Sequence, residues 1–562
     1  MPTAPLDSSV RPFRWARALL KPSLVDLFFG VLMLAAFSRT QAWQSLLVDG
    51  DTGWHIRTGD YILETGRVPL QDLFSFSRTG QPWFAWEWLA DVIVALLHRW
   101  RGLEAVAGFS ACVLCLSAVF LMCWLLRRGV GLWIAVAVVL ATVSESSMHS
   151  LARPHIFSLL FVTLALWVLD EDRRRTGPLI WMLVPLSALW ANLHAGFVSW
   201  LAILGLLVAL SGMARRWASL RRYGALFGLC SAATLLNPYG WGLHRHIIRY
   251  LGSSWILDHV QEFQSPRIRS ESMMVFALLL LLGVALASRS IARDQWFEGV
   301  LVLAWAFAAL RSARHIPLYG IAAAPLIASE CAAAWSRLAA GRPARSAIRV
   351  FWELSQDLGR SRRISLWTPA LGALALLVTL PQARLTGFPA SVFPVAAVAA
   401  NLDRLQPGGA MPRILTSDRW AGYLIFRLHP RQRVFFDGRS DFYGPAIGAD
   451  YQGLLSLAPG WRRTLDRYQF EVALLPLDWP LGDILEHDPG WRLVYRDSVS
   501  VLLVRYSPYD RPSPSVVCPP ASSPAPSVAE LVRGTGRPVA AKSSSPAPVA
   551  RPHRKVDRPA EP

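Results

Sequence analysis

Long apolar runs alternate with short arginine-bearing breaks over most of the chain, from Leu24 to Leu380. Candidate segments cover 24–43, 103–126, 131–148, 154–170, 178–192, 195–213, 223–236, 273–288, 295–310, 315–336 and 365–382. A nearly uncharged stretch of about 18 residues or more reads as a helix long enough to cross the hydrocarbon of a bilayer. The pattern therefore predicts a multi-pass α-helical membrane protein with about 11 transmembrane helices. Basic residues mark alternate breaks: Arg127 and Arg128; Arg173, Arg174 and Arg175; Arg215, Arg216, Arg221 and Arg222; and the 337–363 stretch with its many arginines. The positive-inside rule assigns these breaks to the cytoplasm, together with the N-terminal residues 1–23. An odd number of spans then puts the C-terminal region outside. Arg11, Arg14, Arg17 and Lys21 precede the first apolar run as in a signal peptide, but no small-residue cleavage site follows, so an uncleaved first helix is expected.

Two regions break the apolar rhythm. The first external loop, 48–102, holds a polar stretch, a loop rich in Pro and Gly, and then EWLADVIVALLHRW (87–100), whose amphipathic period predicts a helix lying in the interface. From about 388 the pattern shortens. AVAANLDRL has a helical period, and RVFFDG, FEVALLP and SVSVLLVRY read as strands bounded by turns. These predict a small α/β extracytoplasmic domain over 385–506, after a transmembrane domain over 24–384. Residues 507–562, built from Pro, Ala, Ser and Arg without periodicity, read as a disordered tail.

Composition narrows the class further. Hydrophobic residues make up 53% of the 562 and charged residues 17%, whereas soluble domains hold about 25% charged. The 25 tryptophans suit membrane–water interfaces. The formal charge of +19 does not imply nucleic acid, because the arginines sit between apolar segments and in the tail. Five of the six cysteines lie in apolar segments, so no disulfide framework is implied.

Chemistry is expected on the external side. Asp49-Gly-Asp51-Thr-Gly-Trp54-His55 places two carboxylates at a helix start. They read as a general base, a divalent-metal ligand or one of each, or else as interfacial caps. Glu87 lies among Trp83, Trp86 and Trp88, either as a desolvated carboxylate or as a cap of the amphipathic helix. Arg153, Arg245, Arg249, Arg311 and Arg314 break the positive-inside trend. A phosphate would compensate them, and the alternative is contact with headgroups or pairing with Asp258, Glu262 and Glu271. His55, His155, His194 and His315 are further site candidates, with a structural role the plainer reading of each histidine. Asp437-Gly-Arg439-Ser-Asp441 reads as a tight turn ahead of an acceptor contact. Walker A, GxSxG and HExxH motifs are absent from the sequence.

The string DGDTGWHIRTGDYILETGRVPLQDLFSFSRTGQPWFAWEWLADV resembles the first periplasmic loop of bacterial GT-C superfamily membrane glycosyltransferases, which depend on polyprenyl-phosphate sugars. RPHIFSLLFVTLALWVL, WANLHAGF, NPYGW, QEFQSP, RHIPLYGIAAAPL, VFFDGRSDFYG and DPGWRLVYRDSVSVLLVR resemble further blocks of a subgroup with a C-terminal soluble domain. The resemblance runs from about 24 to 506. It implies a GT-C-like fold and transfer of a sugar from a polyprenyl-phosphate donor to a glycan, lipid or protein acceptor on the external face of the bacterial inner membrane. Asp49, Asp51 and Glu87 match the acidic positions of the family. A divalent cation, Mg2+ or Mn2+, held by Asp51 and Glu87, is implied with them. Two departures are present: DGD replaces the common Asp-Pro-Asp, and Trp86 stands where a His is common before the second acid. The rival expectations are a lipid or polysaccharide transporter, which would show a path reaching both faces, and a non-catalytic envelope scaffold.

Overall fold

A computed structural model of the protein describes residues 20–38, 40–360, 363–383, 387–406 and 411–506; the first 19 residues and the 507–562 tail lie outside the described residues. The helical part of the chain contains α1 (Leu24–Phe37), α2 (Asp51–Thr65), α3 (Trp88–Arg127), α4 (Leu132–Glu145), α5 (His155–Arg174), α6 (Leu183–Leu193) and α7 (Phe197–Met213). It continues with α8 (Trp217–Ala233), α9 (Trp241–Leu251), α10 (Glu271–Ile291), α11 (Trp296–Arg311), α12 (Ile316–Ala340) and α13 (Trp367–Ala383). The C-terminal part contributes α14 (Asp418–Leu428), α15 (Ser440–Leu455) and a small sheet.

Local chemistry sets several of these helices. Ser23 accepts from the N–H groups of Val25 and Asp26, and Asp26 accepts from the Ser23 N–H, so a capping box starts α1. The buried Asp26 carboxylate also accepts from Ser365 and Thr368, which ties α1 to α13. The amphipathic run 87–100 and the apolar run 103–126 form one helix, α3, broken by non-helical Arg101 and Gly102. Gly102 has φ +64°, a left-handed conformation that glycine adopts without penalty, so the interfacial and apolar halves take different directions.

Three helices among the described residues are long and apolar enough to cross a membrane: Trp88–Arg127, Glu271–Ile291 and Ala313–Ala340. Shorter apolar helices cover Leu24–Ala35, Leu132–Glu145, Pro178–Leu193, Phe197–Met213 and Trp367–Thr379. The expected spans at 154–170, 223–236 and 295–310 are helical, as α5, α8 and α11, but are short or end in charged residues. One end of the bundle is knit by ion pairs: Arg128 to Asp170 at 3.1 Å, Arg173 to Glu298 at 2.6 Å and Arg222 to Asp172 at 2.6 Å. These are among the arginines expected in the cytoplasmic breaks.

The sheet has order β1-β2-β4-β3, with β1 (Ile414–Leu415), β2 (Val472–Pro476), β3 (Trp491–Arg496) and β4 (Ser500–Arg505). The β1–β2 pair is parallel and the other pairs are antiparallel. Two of the expected strands are present as β2 and β4. The run RVFFDG is a correction: it is not a strand of the sheet. Val434 makes single parallel bridges to Ser75 and to Ile414, because residues 74–76 reach across and take its backbone groups. Phe76 N–H donates to Val434 O and Val434 N–H donates to Phe74 O, both at 3.0 Å. AVAANLDRL is also divided, into Val395–Ala400 and Leu402–Leu405.

Helix α14 lies directly on α2 because glycines face one another at the crossing. A Cβ on Gly422 would stand 2.3 Å from Gly50 O, and one on Gly53 would stand 2.3 Å from Gly422 O. One on Gly50 would stand 1.8 Å from Arg419 O, so proline, common at this position in the resembling family, has no room here. Arg57 adds a hydrogen bond from Nε to Phe426 O at 2.9 Å. Gly422→Ala is therefore expected to destabilise the folded chain by about 2 kcal/mol or more, since backbone rather than a movable side chain meets the new methyl. Thermal unfolding in detergent, with proteolysis of the C-terminal part as a second readout, measures this.

Candidate active site

The start of α2 and the segment before α5 are fixed to each other by short hydrogen bonds. Asp49 Oδ1 accepts from the Asp51 N–H, the first of α2, at 2.9 Å. Thr52 Oγ1 donates to Ala152 O at 3.0 Å, and the Ala152 N–H donates to Leu46 O at 2.8 Å. Arg153 is thereby held against the two aspartates. Its Nη1 lies 2.8 Å from Asp49 Oδ2 and 2.9 Å from Glu262 Oε1, and its Nη2 lies 3.0 Å from Asp51 Oδ2. Glu262 sits in the single turn Gln261–Phe263, fastened to the end of α11 by Ser312 Oγ donating to Glu262 O at 2.9 Å. Its other oxygen faces Arg314 at 3.3 Å, and Arg314 donates to the Tyr250 hydroxyl at 3.1 Å while packing over Phe263.

Glu87 stands at the start of α3 between two imidazoles. Its Oε2 is 3.7 Å from His55 Nε2 and its Oε1 is 3.5 Å from His194 Nε2. His55 Nδ1 lies 2.6 Å from the buried Asp91, one helical turn beyond Glu87. His194 Nδ1 accepts from the Gly196 N–H at 3.0 Å, so a neutral His194 carries its proton on Nε2, toward Glu87. Burial holds both His55 and His194 well below the ordinary imidazole range. His155 and His315 each donate one ring N–H to a backbone carbonyl, His149 O at 2.6 Å and Ala308 O at 3.3 Å. Each neutral ring then presents its second nitrogen as an acceptor.

Most of these groups line one cavity of about 320 Å³. Asp51, Glu87, Arg153, Arg314, His155, His194 and His315 all contribute to its wall. Trp54, Trp83, Trp86, Tyr250 and Trp305 supply aromatic surface, and Leu159, Val198, Ala202, Leu251 and Leu318 supply an aliphatic side. The helices contribute to the wall through the starts of α5, α7 and α12, the residue after α6, the latter halves of α9 and α11, and the start of α3. The C-terminal part closes the wall with Gly438, Arg439, Ser440 and Asp441. Gly438 lies so near Asp51 that a Cβ on it would stand 2.0 Å from Asp51 Oδ1.

A buried ion cluster fixes that loop. Arg439 makes a two-pronged contact with Asp437 at 2.9 and 2.7 Å and reaches Asp72 of the first external loop at 2.9 Å. Its guanidinium packs over Trp83 at 4.6 Å and Phe74 at 5.1 Å. Asp441 pairs with His246 at 2.9 Å. The turn expected at Asp437–Gly438 is present, with Asp437 Oδ1 accepting from the Arg439 N–H, and the same turn faces the cavity.

Other candidates fall elsewhere. Asp49 meets Arg153 from behind, and His55 is buried under Glu87; neither lines the cavity. Arg245, Arg249 and Arg311 are exposed and outside it. The reason for the first two is helical phase: Leu243 and Ile247 of α9 are buried, which turns positions 245 and 249 away. Asp91, Tyr250 and the cavity-facing role of Arg439 and Asp441 are additions that sequence reasoning missed. Glu262 was anticipated only as a pairing partner. Asp91 could have been found from its spacing, since Glu87 and Asp91 share one helical face.

The residues present do not fit the divalent ion implied for Asp51 and Glu87. Asp51 is ion-paired to Arg153, which occupies the oxygen that a metal at this carboxylate would need. Among the described residues no three His, Cys, Asp or Glu side chains are grouped to hold a metal. A cation placed about 4 Å from Arg153 would meet a repulsion of about 4 kcal/mol per unit charge at an effective dielectric of about 20.

No protein-family model matches the sequence, and no curated protein matches it. Solved structures do. An apo oligosaccharyltransferase from Archaeoglobus fulgidus superposes with TM-score 0.50 at 11% identity, covering 81% of this chain and 69% of that one. The Archaeoglobus fulgidus oligosaccharyltransferase AglB, in complex with an inhibitory peptide and a dolichol-phosphate, gives TM-score 0.52 at 11% identity, covering 83% and 70%. ArnT from Cupriavidus metallidurans, bound to undecaprenyl phosphate, gives 0.45 at 14%, covering 87% and 99%. At such identities the two oligosaccharyltransferase structures show a shared fold alone.

Burial pushes the Asp51 carboxyl up to about 7, with Asp49 adding to the rise and Arg153 opposing it. Burial likewise pushes Glu87 up to about 8 against Arg153 and Arg314. At Glu262 burial also acts upward, but Arg153 and Arg314 outweigh it and hold the carboxyl well below the usual range. The folded chain thus binds the Glu87 proton more tightly than the unfolded chain does. That contribution to stability is intact below the ordinary value of 4.5 and is lost as pH rises through about 8. Glu87→Gln is expected to match wild type in melting temperature near pH 4 and to exceed it by a few degrees near pH 8. Melting curves across that range provide the check.

Proposed function

We propose that this chain is a membrane glycosyltransferase that moves a sugar from a polyprenyl-phosphate carrier to an acceptor on the external face of the bacterial inner membrane. The observation that carries the reading is one cavity lined by Asp51, Glu87 and Arg314 together with aliphatic and aromatic side chains. The fold supports it, because the similar AglB structure contains a dolichol-phosphate, which is a polyprenyl phosphate. In this reading the aliphatic wall receives the first isoprene units and Arg314 meets the phosphate with its guanidinium. The aromatic wall packs against the sugar ring. Asp51, ionised above about pH 7, takes the proton of the acceptor hydroxyl as its oxygen attacks the anomeric carbon. The anomeric carbon–phosphate oxygen bond breaks, and the carrier phosphate leaves with the bonding pair, stabilised by Arg314. A single displacement of this kind inverts the anomeric centre. The 437–441 loop covers the reacting groups and excludes water.

The orientation follows from the arginine-rich end being cytoplasmic, which leaves the cavity outside.

Asp51→Asn, shown to be folded by its melting curve, is expected to lower transfer by 100-fold or more, on the order of a lost general base. Full activity in that variant, or an envelope glycan and lipid profile unchanged on removing the protein, would sink the reading. Arg314→Ala is expected to weaken undecaprenyl-phosphate binding about tenfold or more, while Arg245→Ala and Arg249→Ala leave it unchanged. Binding measured in nanodiscs distinguishes these outcomes.

A further inference from the structure

Three carboxylates from distant parts of the chain converge on one guanidinium, Arg153. Asp49 and Asp51 come from the start of α2, and Glu262 comes from the turn before α10, at 2.8, 3.0 and 2.9 Å. The oxygens are nearly all engaged. Asp49 uses Oδ1 for the Asp51 N–H and Oδ2 for Arg153. Glu262 uses Oε1 for Arg153 and Oε2 for Arg314. Asp51 gives Oδ2 to Arg153 and turns Oδ1 toward Gly438. A guanidinium suits this arrangement, because its five N–H donors point outward in a plane and its charge is permanent. The backbone bonds at Ala152 fix its place, so it is built into the site rather than hanging at its edge.

We infer that Arg153 is the resident cation of this site: its guanidinium gathers the acids that a divalent ion would otherwise gather, and the chain functions without Mg2+ or Mn2+. A metal placed among Asp49, Asp51 and Glu262 would need the volume and the oxygens that Arg153 already holds. Arg153 is then a positioning residue that sets Asp51 in place, and the phosphate contact falls to Arg314. The statement about function rests on the transfer proposed above; the statement about cation binding does not.

The test uses the full chain in nanodiscs with Mn2+ as probe, read by electron paramagnetic resonance and by melting temperature. Wild type is expected to show no saturable Mn2+ binding. Arg153→Ala leaves three carboxylates around an emptied space and is expected to bind Mn2+ on the order of 100-fold more tightly than wild type. The double variant with Glu262→Gln should lose most of that gain, and Arg153→Lys, which keeps the charge, should not acquire it. Saturable Mn2+ binding to wild type that Asp51→Asn or Glu87→Gln abolishes overturns the inference, and this arm stands even if Arg153→Ala does not fold. A folded Arg153→Ala that gains no Mn2+ affinity overturns it as well. Where transfer is detected, chelator should leave the wild-type rate unchanged; where none is detected, the transferase reading fails while the Mn2+ results still decide the cation question.

Discussion

The crossing of α14 over α2 is the contact on which the site depends. Gly50, Gly53 and Gly422 let two backbones touch, with a Cβ on any of them falling inside a carbonyl's radius. That closeness brings the C-terminal part down onto the start of α2, where Asp49 and Asp51 stand. The 437–441 loop then reaches Asp51, and the first external loop reaches Val434. Separated by a single side-chain layer, the two parts would leave the cavity open on that side.

Charge is arranged in layers around the cavity. Arg153 and Arg439 are both cations enclosed by carboxylates, Asp49, Asp51 and Glu262 around the first, Asp72 and Asp437 around the second. Burying such groups is costly unless every charge has a partner. Here the partners come from separate segments, so each cluster also records how those segments must meet. Glu87 is treated differently. It has neutral imidazoles rather than a guanidinium at contact distance, and burial raises it against Arg153 and Arg314, as burial raises Asp51 against Arg153. Asp51 and Glu87 are thus given distinct environments on one scaffold.

Several elements were legible along the chain and others were not. The helices follow from apolar runs, and the strands at 472–476 and 500–505 from β-branched and aliphatic clusters. The strand expected at 433–438 failed because its backbone partners come from residue 75 and residue 414, which no local pattern announces. The arginines of α9 looked available for phosphate, yet two buried aliphatic residues on that helix turn them outward. Asp91 went unnoticed because its importance lies in His55, thirty-six positions away in sequence.

The order of residues alone determined that this is a many-helix membrane chain with acids after its first apolar run and arginines where external charge is unusual. Those features are local: hydrophobicity and charge act through neighbours in sequence, and the bilayer reads them segment by segment. What tertiary structure decided is which acids meet which cations. Arg153 rather than a metal lies against Asp51, Arg314 rather than Arg245 faces the cavity, and Asp437 to Asp441 form its cover. The physical reason is that an ion pair acts over a few ångströms of space, and only the packing of helices against one another brings residues 51, 153, 262 and 438 within that reach.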